Sequence, residues 1–230
     1  MQPFAHNLAF LIDRLRLDRR ALVNRLGVGM NDLQAWSEGR AEPGLQQLIQ
    51  LSAMLKVSVD RLLKNDLQRR AGAEDIKLLV LDVDGVLTDG GIYLTERGDE
   101  IKKFHARDGR GIVTAQKVGV EVAFLSGGRF PEAINLRAER LGIRRCYVGT
   151  EPKTAVLERW MAESGLTYKQ VAHIGDDAND LDVLSRVGLS ACPADAAPKN
   201  REVVDIILNL PGGQGCVREF IEEHLGIEVD

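Results

Sequence analysis

Aspartates follow two separate apolar runs in this chain, and they come in groups. Asp82 and Asp84 follow the run Leu-Val-Leu at 79–81, and Asp176 begins the group that follows 171–174. Carboxylates that lie close together repel one another, and a hard divalent cation is the usual compensation. Oxygen ligands without histidine or cysteine favour Mg²⁺ over Zn²⁺. Helix caps are the alternative, but a cap needs only one carboxylate, so the two groups predict a magnesium site.

Two further segments carry groups that suit a phosphate. Residues 126–129, Ser-Gly-Gly-Arg, supply a hydroxyl, permissive backbone and a guanidinium after an apolar run. Lys153 begins a predicted helix, where a cation is unfavourable for the helix dipole unless an anion lies near it. The helix predicted to begin near residue 131 also presents its N-terminus, which favours an anion. These segments and the acidic groups together predict chemistry on a phosphate.

Alternating strands and helices must position these groups. Apolar runs and helical patterns alternate after residue 76, and they predict strands at 76–81, 121–125, 146–148, 171–174 and 189–192 and helices at 109–118, 131–141, 154–164 and 180–187. This alternation predicts an α/β fold with a doubly wound parallel sheet and helices on both faces. The ligand crevice of such a sheet lies beyond the carboxyl ends of its strands. Residues 91–105 interrupt the alternation and predict a β-hairpin around a Gly-Asp turn.

The first part of the chain has a different pattern. Apolar residues between 4 and 63 recur at spacings of three and four, which predicts five short helices and no strand. Residues 1–70 contain 11 basic and 7 acidic residues, a net charge of +4, whereas residues 71–230 contain 19 basic and 27 acidic residues, a net charge of −8. We therefore predict an all-α domain at 1–66, a polar linker at 67–75 and the α/β domain at 76–230.

Composition excludes several classes of protein. An apolar fraction of 44% is too high for general disorder. No apolar run reaches the ~18 residues of a transmembrane helix, and the first residues lack the basic and apolar regions of a secretory signal. Cys146, Cys192 and Cys216 are far apart and form no C-x-x-C pair, so neither a disulfide framework nor a structural zinc site is expected. We expect a cytoplasmic protein without a membrane partner.

The order of the motifs resembles the haloacid dehalogenase-like phosphatases over residues 76–230. The motifs are DVDGVLTDG from Asp82, LSGGR through Ser126, then Lys153, then GDDANDLDVL through Asp176. The hairpin and the tail GGQGCVRE at 212–219 are similar to the branch without a large cap domain, that of 3-deoxy-D-manno-octulosonate 8-phosphate phosphatase. Membership of this branch implies a Mg²⁺-dependent phosphoric monoester hydrolase of lipopolysaccharide biosynthesis.

The resemblance also implies roles for single residues. Asp82 would be the nucleophile that takes the phosphoryl group, and Asp84 would be the general acid and then the general base. Asp82, the backbone carbonyl of Asp84, and Asp176 would bind Mg²⁺. Ser126 and Lys153 would neutralise the phosphoryl oxygens. Asp177 and Asp180 would support Lys153 and the metal from nearby.

The resemblance to this branch implies that the residue after the second motif bears on substrate choice. An arginine at this position, here Arg129, resembles the enzymes that act on eight-carbon keto-sugar acids. A glutamate at this position would resemble the enzymes that act on nine-carbon 9-phosphates, which are the alternative substrates. Gly128 is an extra residue before Arg129, and Gln214 stands where the branch usually has arginine. The expected substrate-binding residues are Gly127, Arg129, Arg137 and Arg140, of which the last two are partners for a sugar carboxylate. The branch also implies a homotetramer with paired hairpins.

The segment 18–37 has the pattern helix, short turn with glycine, helix, which is typical of a helix-turn-helix. Residues 4–66 resemble the repressor-type (XRE-like) family, which implies that DNA is a partner and that the phosphatase domain could act as its sugar-phosphate sensor. The expected DNA-binding residues are Arg19, Arg20, Met30, Asn31, Gln34 and Arg40. Asp32 on the same helix would repel phosphate, so a bundle that dimerises or docks another protein is the alternative.

Overall fold

The computed structural model describes residues 2–55, 57, 59–64 and 75–229. The chain divides into two compact units, Met1–Arg70 and Ala71–Asp230. The predicted linker at 67–75 lies outside the described residues apart from Asp75, so the predicted domain boundaries stay predictions.

The described part of the first unit is helical, as the apolar spacing predicts. Its helices are α1 (Gln2–Arg14), α2 (Arg19–Leu26), α3 (Met30–Ser37), α4 (Leu45–Leu55) and α5 (Val59–Lys64). Their shared core includes the fully buried side chains of Leu8, Leu33, Leu51 and Leu62. Helix α2 begins where Asp18 Oδ1 accepts a hydrogen bond of 2.9 Å from Arg20 N, because the first N–H groups of a helix need acceptors.

The second unit is built on a six-stranded parallel sheet, which confirms the predicted α/β class. Its order is β5-β4-β1-β6-β7-β8. The strands of this unit are β1 (Leu78–Leu81), β2 (Tyr93–Leu94), β3 (Glu100–Ile101), β4 (Glu121–Ser126), β5 (Arg145–Val148), β6 (Val171–Ile174), β7 (Leu189–Cys192) and β8 (Ile206–Ile207). Its helices are α6 (Ala106–Lys117), α7 (Glu132–Arg140), α8 (Lys153–Ser164), α9 (Leu181–Leu184), α10 (Pro198–Val203) and α11 (Cys216–Glu219).

The sequence prediction missed the edge strand β8, because two residues are too short for a strand pattern. The described cysteines Cys146, Cys192 and Cys216 are free thiols. Among the described residues, no helix is long and apolar enough to cross a membrane.

Strand register brings the carboxyl ends of the central strands to one edge. Leu81 at the end of β1 pairs with Phe124 on β4 and with Ile174 on β6. The backbone N–H of Asp82 continues this ladder and donates to the Ile174 carbonyl at 3.0 Å. The residues that follow β1 and β6 therefore emerge side by side.

Helices cover both faces of the sheet, as predicted. The side chains of Leu79 and Leu81 pack in a core with α6, α7 and α11, whereas those of Leu78 and Val80 pack in a second core with α8 and α9. Both sets are fully buried, which explains why β1 is a continuous apolar run rather than an alternating one. The sheet is therefore a rigid support for the loops at its edge.

Residues 91–105 contain the predicted hairpin. Strands β2 and β3 are antiparallel, with Tyr93 opposite Ile101, and Thr95 N donates to the Asp99 carbonyl across the turn at 2.9 Å. Ile92 is 77% exposed and Leu94 is 64% exposed. The hairpin thus carries apolar side chains that its own unit does not bury.

The C-terminal segment packs directly on the loop that follows β1. A Cβ at Gly212 would lie 1.9 Å from the carbonyl oxygen of Gly85, so only glycine allows this approach. Gly213 N donates to the Val86 carbonyl at 2.9 Å. The tail at 212–219 is therefore part of the wall around the loop that carries Asp82 and Asp84.

Candidate active site

A buried lysine joins two of the predicted aspartates. Lys153 is the first residue of α8, and its Nζ lies 2.9 Å from Asp82 Oδ1 and 2.7 Å from Asp180 Oδ1. Burial alone would lower the pKa of Lys153, but the two carboxylates raise it. The cation that the sequence placed unfavourably at a helix N-terminus is therefore compensated by two anions.

Asp180 has a second partner that the sequence analysis missed. His173 on β6 is fully buried, with Nε2 2.8 Å from Asp180 Oδ1 and Nδ1 3.1 Å from the Val80 carbonyl oxygen. Burial would raise the pKa of Asp180, but His173 and Lys153 outweigh it and lower that pKa. The sequence analysis expected no histidine near the carboxylates, and the contact of His173 with Asp180 shows that this expectation is wrong. Because both ring nitrogens are engaged elsewhere, the oxygen ligands remain as predicted.

The carboxylates form a site that fits a divalent cation. One oxygen each of Asp82, Asp176 and Asp180 lies within 4.8 Å of the others. Asp176 Oδ1 and Asp180 Oδ2 are buried without a hydrogen-bond partner among the described residues. Burial, together with repulsion from neighbouring carboxylates, raises the pKa of Asp82 to about 6 and that of Asp176 to about 8. Uncompensated negative charge and orphaned oxygens are what Mg²⁺ would satisfy.

Glycine at position 85 makes the approach of Asp176 possible. Gly85 has φ of +84°, and a Cβ there would lie 2.1 Å from Asp176 Oδ2. Any other residue would be strained in this conformation and would also displace the carboxylate. The turn after β1 therefore determines how close Asp176 comes to Asp82.

Asp84 points to a different partner from Asp82. Its Oδ1 lies 2.6 Å from Nζ of Lys102, which directly follows β3. The Asp84 side chain is 42% exposed, so it reaches solvent beside the buried cluster. Lys102 was not among the predicted site residues, because its contact with Asp84 joins positions far apart in sequence.

The second motif lines the same edge. Ser126 is buried at the end of β4, and its Oγ accepts a hydrogen bond of 3.1 Å from Gly128 N. A Cβ at Gly128 would lie 3.2 Å from Ser126 Oγ and 3.8 Å from Asp84 Oδ2, and one at Gly127 would lie 3.1 Å from Asn179 Nδ2. The extra glycine thus leaves space beside Ser126 and Asp84.

Asp177 lies apart from this cluster. It is exposed, and its Oδ1 accepts a hydrogen bond of 2.7 Å from Ala178 N. Its carboxylate thus caps the short turn Ala178–Asp180, and the expected support of Lys153 by Asp177 stays a prediction. Asp180 fills the supporting position.

The predicted substrate-binding arginines differ in their exposure. Arg137 is half-buried on α7, and its Cζ lies 5.5 Å from the centroid of the Phe104 ring. Arg129 and Arg140 are exposed, and Gln214 is exposed on the tail. Their contacts with a substrate stay predictions.

The predicted DNA-binding residues are exposed on the first unit, and acids engage several of them. Gln34 Nε2 donates to Glu38 Oε1 at 2.9 Å, and Arg40 forms an ion pair with the same carboxylate. Arg19 Nη2 lies 3.1 Å from Asp13 Oδ1. The others, Arg20, Met30 and Asn31, lie on the surfaces of α2 and α3, and DNA contact stays a prediction.

Comparison with known proteins adds independent findings. A family model described as haloacid dehalogenase-like hydrolase matches residues 149–217. The 3-deoxy-D-manno-octulosonate 8-phosphate phosphatase KdsC of Escherichia coli (strain K12) is 41% identical over 152 residues, which are 66% of this chain and 80% of that protein. This chain belongs to the haloacid dehalogenase-like hydrolases of the KdsC type. It is therefore a phosphoric monoester hydrolase.

Solved structures of this family agree with the fold. The 3-deoxy-D-manno-octulosonate 8-phosphate phosphatase from Yersinia pestis is 38% identical with a TM-score of 0.66, over 70% of this chain and 85% of that chain. The one from Moraxella catarrhalis, in complex with a magnesium ion, a phosphate ion and a KDO molecule, is 32% identical with a TM-score of 0.65, over 70% of this chain and 91% of that chain. Mg²⁺ as the cofactor is consistent with these relatives and with the cluster described above.

Replacing Asp176 with asparagine tests the metal site. Because the pKa of Asp176 is raised to about 8, its ionised form destabilises the metal-free fold above the unfolded pKa, and this cost grows as pH rises toward 8. We expect Asp176→Asn to raise Tm in EDTA near pH 8. We also expect this variant to lose the increase in the free energy of unfolding that Mg²⁺ gives the wild type, which is about 2.7 kcal/mol at a hundredfold excess over Kd.

The control is Asp182→Asn on α9, which removes an exposed carboxylate and should leave both Tm values unchanged. Differential scanning calorimetry with EDTA or MgCl₂ measures the effect. An Asp176→Asn protein that keeps the full stabilisation by Mg²⁺ would contradict this assignment.

Proposed function

We propose that this chain hydrolyses the phosphate monoester of a keto-sugar acid, 3-deoxy-D-manno-octulosonate 8-phosphate, with Asp82 as the nucleophile. The observation that carries the proposal is the buried ion pair between Asp82 and Lys153, with Asp176 and Asp180 beside it. A carboxylate attacks a phosphate dianion only if positive charge removes the repulsion between them. Lys153 provides part of that charge at 2.9 Å from the attacking group.

The first step forms a bond between Asp82 Oδ and phosphorus and breaks the bond between phosphorus and the ester oxygen. Asp84, in its protonated form, gives its proton to the leaving alkoxide, which departs as the alcohol. Its carboxylate lies at the solvent-exposed side of the cluster, where a sugar would enter. Lys153 and the hydroxyl of Ser126 donate hydrogen bonds to the transferring phosphoryl oxygens.

The second step hydrolyses the aspartyl-phosphate. Asp84, now ionised, takes a proton from water as the water oxygen bonds to phosphorus, and the bond to Asp82 breaks. Inorganic phosphate leaves, and Asp82 returns to its ionised state. Asp180 keeps Lys153 in place through both steps by the contact of 2.7 Å.

Mg²⁺ fits the same site. The carboxylates of Asp82 and Asp176 and the backbone carbonyl of Asp84 would hold it, with Asp180 close by. When bound, it supplies positive charge that reduces the repulsion between Asp82 and the phosphate dianion.

The substrate class rests on the arginines and on the relatives. We propose that Arg137 and Arg140 bind the carboxylate of the sugar acid, since guanidinium groups pair with carboxylates in two parallel hydrogen bonds, and that Arg129 favours the eight-carbon substrate. Phe104 orients Arg137 through a contact of 5.5 Å between Cζ and the ring centroid. Gly127 allows the phosphate to approach the backbone. A nine-carbon keto-acid 9-phosphate is the competing substrate.

Assembly and location belong to the same proposal. A homotetramer with paired hairpins would cover the exposed apolar side chains of Ile92, Tyr93, Leu94 and Ile101. A cytoplasmic location agrees with three free cysteines.

A phosphatase assay with a panel of substrates tests the proposed function. We expect Mg²⁺-dependent release of phosphate with the highest kcat/KM for the eight-carbon 8-phosphate, below it the nine-carbon 9-phosphate, and then p-nitrophenyl phosphate. Asp82→Asn should reduce kcat by a factor on the order of 10⁴ or more, because the amide cannot take up the phosphoryl group.

Circular dichroism checks that Asp82→Asn remains folded. A higher kcat/KM for the nine-carbon 9-phosphate would show that this compound, and not the eight-carbon 8-phosphate, is the preferred substrate. Full activity of Asp82→Asn would contradict the role of Asp82 as the nucleophile.

We propose in addition that residues 1–66 form a helix-turn-helix domain that binds DNA. Helix α2 ends at Leu26 and is followed by Gly27, whose φ is +67°, and α3 begins at Met30. The exposed side chains of Arg20 and Asn31 support this proposal. An asparagine can pair with the edge of an adenine, and an arginine neutralises a phosphate. Such a chain would couple gene regulation to the sugar phosphate that its other domain binds.

Fluorescence anisotropy of the full chain with duplexes from the DNA upstream of its own gene tests DNA binding. We expect log K to fall linearly with log salt, and Arg20→Ala to reduce the magnitude of that slope by about 1. Arg201→Ala removes an exposed charge on α10 and should leave the slope unchanged. Absence of binding at low salt would favour the alternative, a bundle for dimerisation or protein docking.

A further inference from the structure

Lys102 is a buried cation outside the predicted motifs. Its side chain is only 4% exposed, although lysine side chains are normally exposed. Its Nζ lies 2.6 Å from Asp84 Oδ1 and 2.5 Å from Glu100 Oε1. Burial would lower the pKa of Lys102, but hydrogen bonds with the two carboxylates raise it. The ammonium is therefore charged and has fixed partners.

The adjacent lysine shows that this arrangement is specific to position 102. The Lys103 side chain is 65% exposed, and its Nζ lies 2.9 Å from Oδ2 of Asp89, in the loop after β1 that also carries Asp84. Only the first of the two lysines enters the site and contacts the group that the proposed mechanism uses for proton transfer. An exposed ion pair such as that of Lys103 contributes little to stability. A buried ion pair with complete hydrogen bonds fixes the positions of its two side chains.

We propose that Lys102 is a positioning residue for Asp84, and that it couples the β2–β3 hairpin to the proposed reaction. Glu100 on β3 holds the ammonium from one side, so the hairpin determines where the Asp84 carboxylate lies. This inference rests on the proposed function, because it assigns Asp84 the acid and base steps. The exposed 42% of the Asp84 side chain remains open to the leaving group and to water.

Two kinds of leaving group respond differently to a misplaced Asp84. An alkoxide leaves only with a proton from Asp84, whereas p-nitrophenolate leaves without one. The second step needs Asp84 as the base for both substrates. A misplaced Asp84 therefore slows both steps for a sugar phosphate but only the second step for p-nitrophenyl phosphate.

Rapid-quench kinetics of full-length Lys102→Met with both substrates tests the proposal. With p-nitrophenyl phosphate we expect a burst of p-nitrophenol of near-stoichiometric amplitude, then a steady-state rate on the order of tenfold lower than that of the wild type. That loss is smaller than the ~10²–10⁴-fold that acid–base catalysis supplies in total. With the sugar phosphate we expect kcat to fall without a burst, and KM to change little.

Two further variants and the burst amplitude make the result decisive. Lys103→Met is the matched control and should behave as the wild type. Glu100→Gln leaves Lys102 in place but removes one of its anchors, so it should show the same burst with a smaller loss of rate, even if Lys102→Met fails to fold. A burst amplitude that falls in proportion to the rate indicates loss of active enzyme and would overturn the proposal.

Unchanged kinetics of Lys102→Met and Glu100→Gln would also overturn it. The test does not depend on the proposed sugar substrate. If the wild type hydrolyses p-nitrophenyl phosphate but not the sugar phosphate, the proposed substrate is wrong, and the burst of Lys102→Met with p-nitrophenyl phosphate still tests the role of Lys102.

Discussion

The ion pair between Lys153 and Asp82 is the interaction on which the rest of the site depends. A buried ammonium is costly unless carboxylates surround it, and here Asp82 and Asp180 lie 2.9 and 2.7 Å from it. His173 holds Asp180 from the other side at 2.8 Å. Residues from β1, α8 and β6 are thereby fixed around one point. Removing Lys153 would leave the buried carboxylates of Asp82 and Asp180 without their shared cation.

The sheet makes this concentration of charge possible. Parallel strands β1 and β6 end in register, so their acidic loops emerge together at the carboxyl edge. Gly85 then lets Asp176 approach the loop after β1, and Gly212 brings the tail against it. Folding thus assembles more negative charge than Lys153 neutralises. Burial first, and then this excess of negative charge, raise the pKa values of Asp82 and Asp176, and a divalent cation would compensate the charge.

The main elements and motifs could be predicted from the sequence because their signals are local. Apolar runs revealed the central strands, and the residues that follow them revealed Asp82, Ser126, Lys153 and Asp176. The contacts that organise the site are not local: Lys102 meets Asp84 across 18 positions and Lys153 meets Asp180 across 27. His173 was missed because a histidine within an apolar strand has no distinguishing spacing. The resemblance implied a supporting role for Asp177, but the sequence could not show that its carboxylate accepts a hydrogen bond from Ala178 N.

Chemical trapping of the phosphorylated residue tests the central claim most directly. Rapid acid quench during turnover of p-nitrophenyl phosphate, reduction with borohydride and mass spectrometry of the peptides identify an aspartyl-phosphate, because reduction converts it to homoserine. We predict this product at position 82, with none at the positions of Asp84 and Asp176. Turnover without a modified peptide at position 82, or modification at another aspartate, would contradict the account.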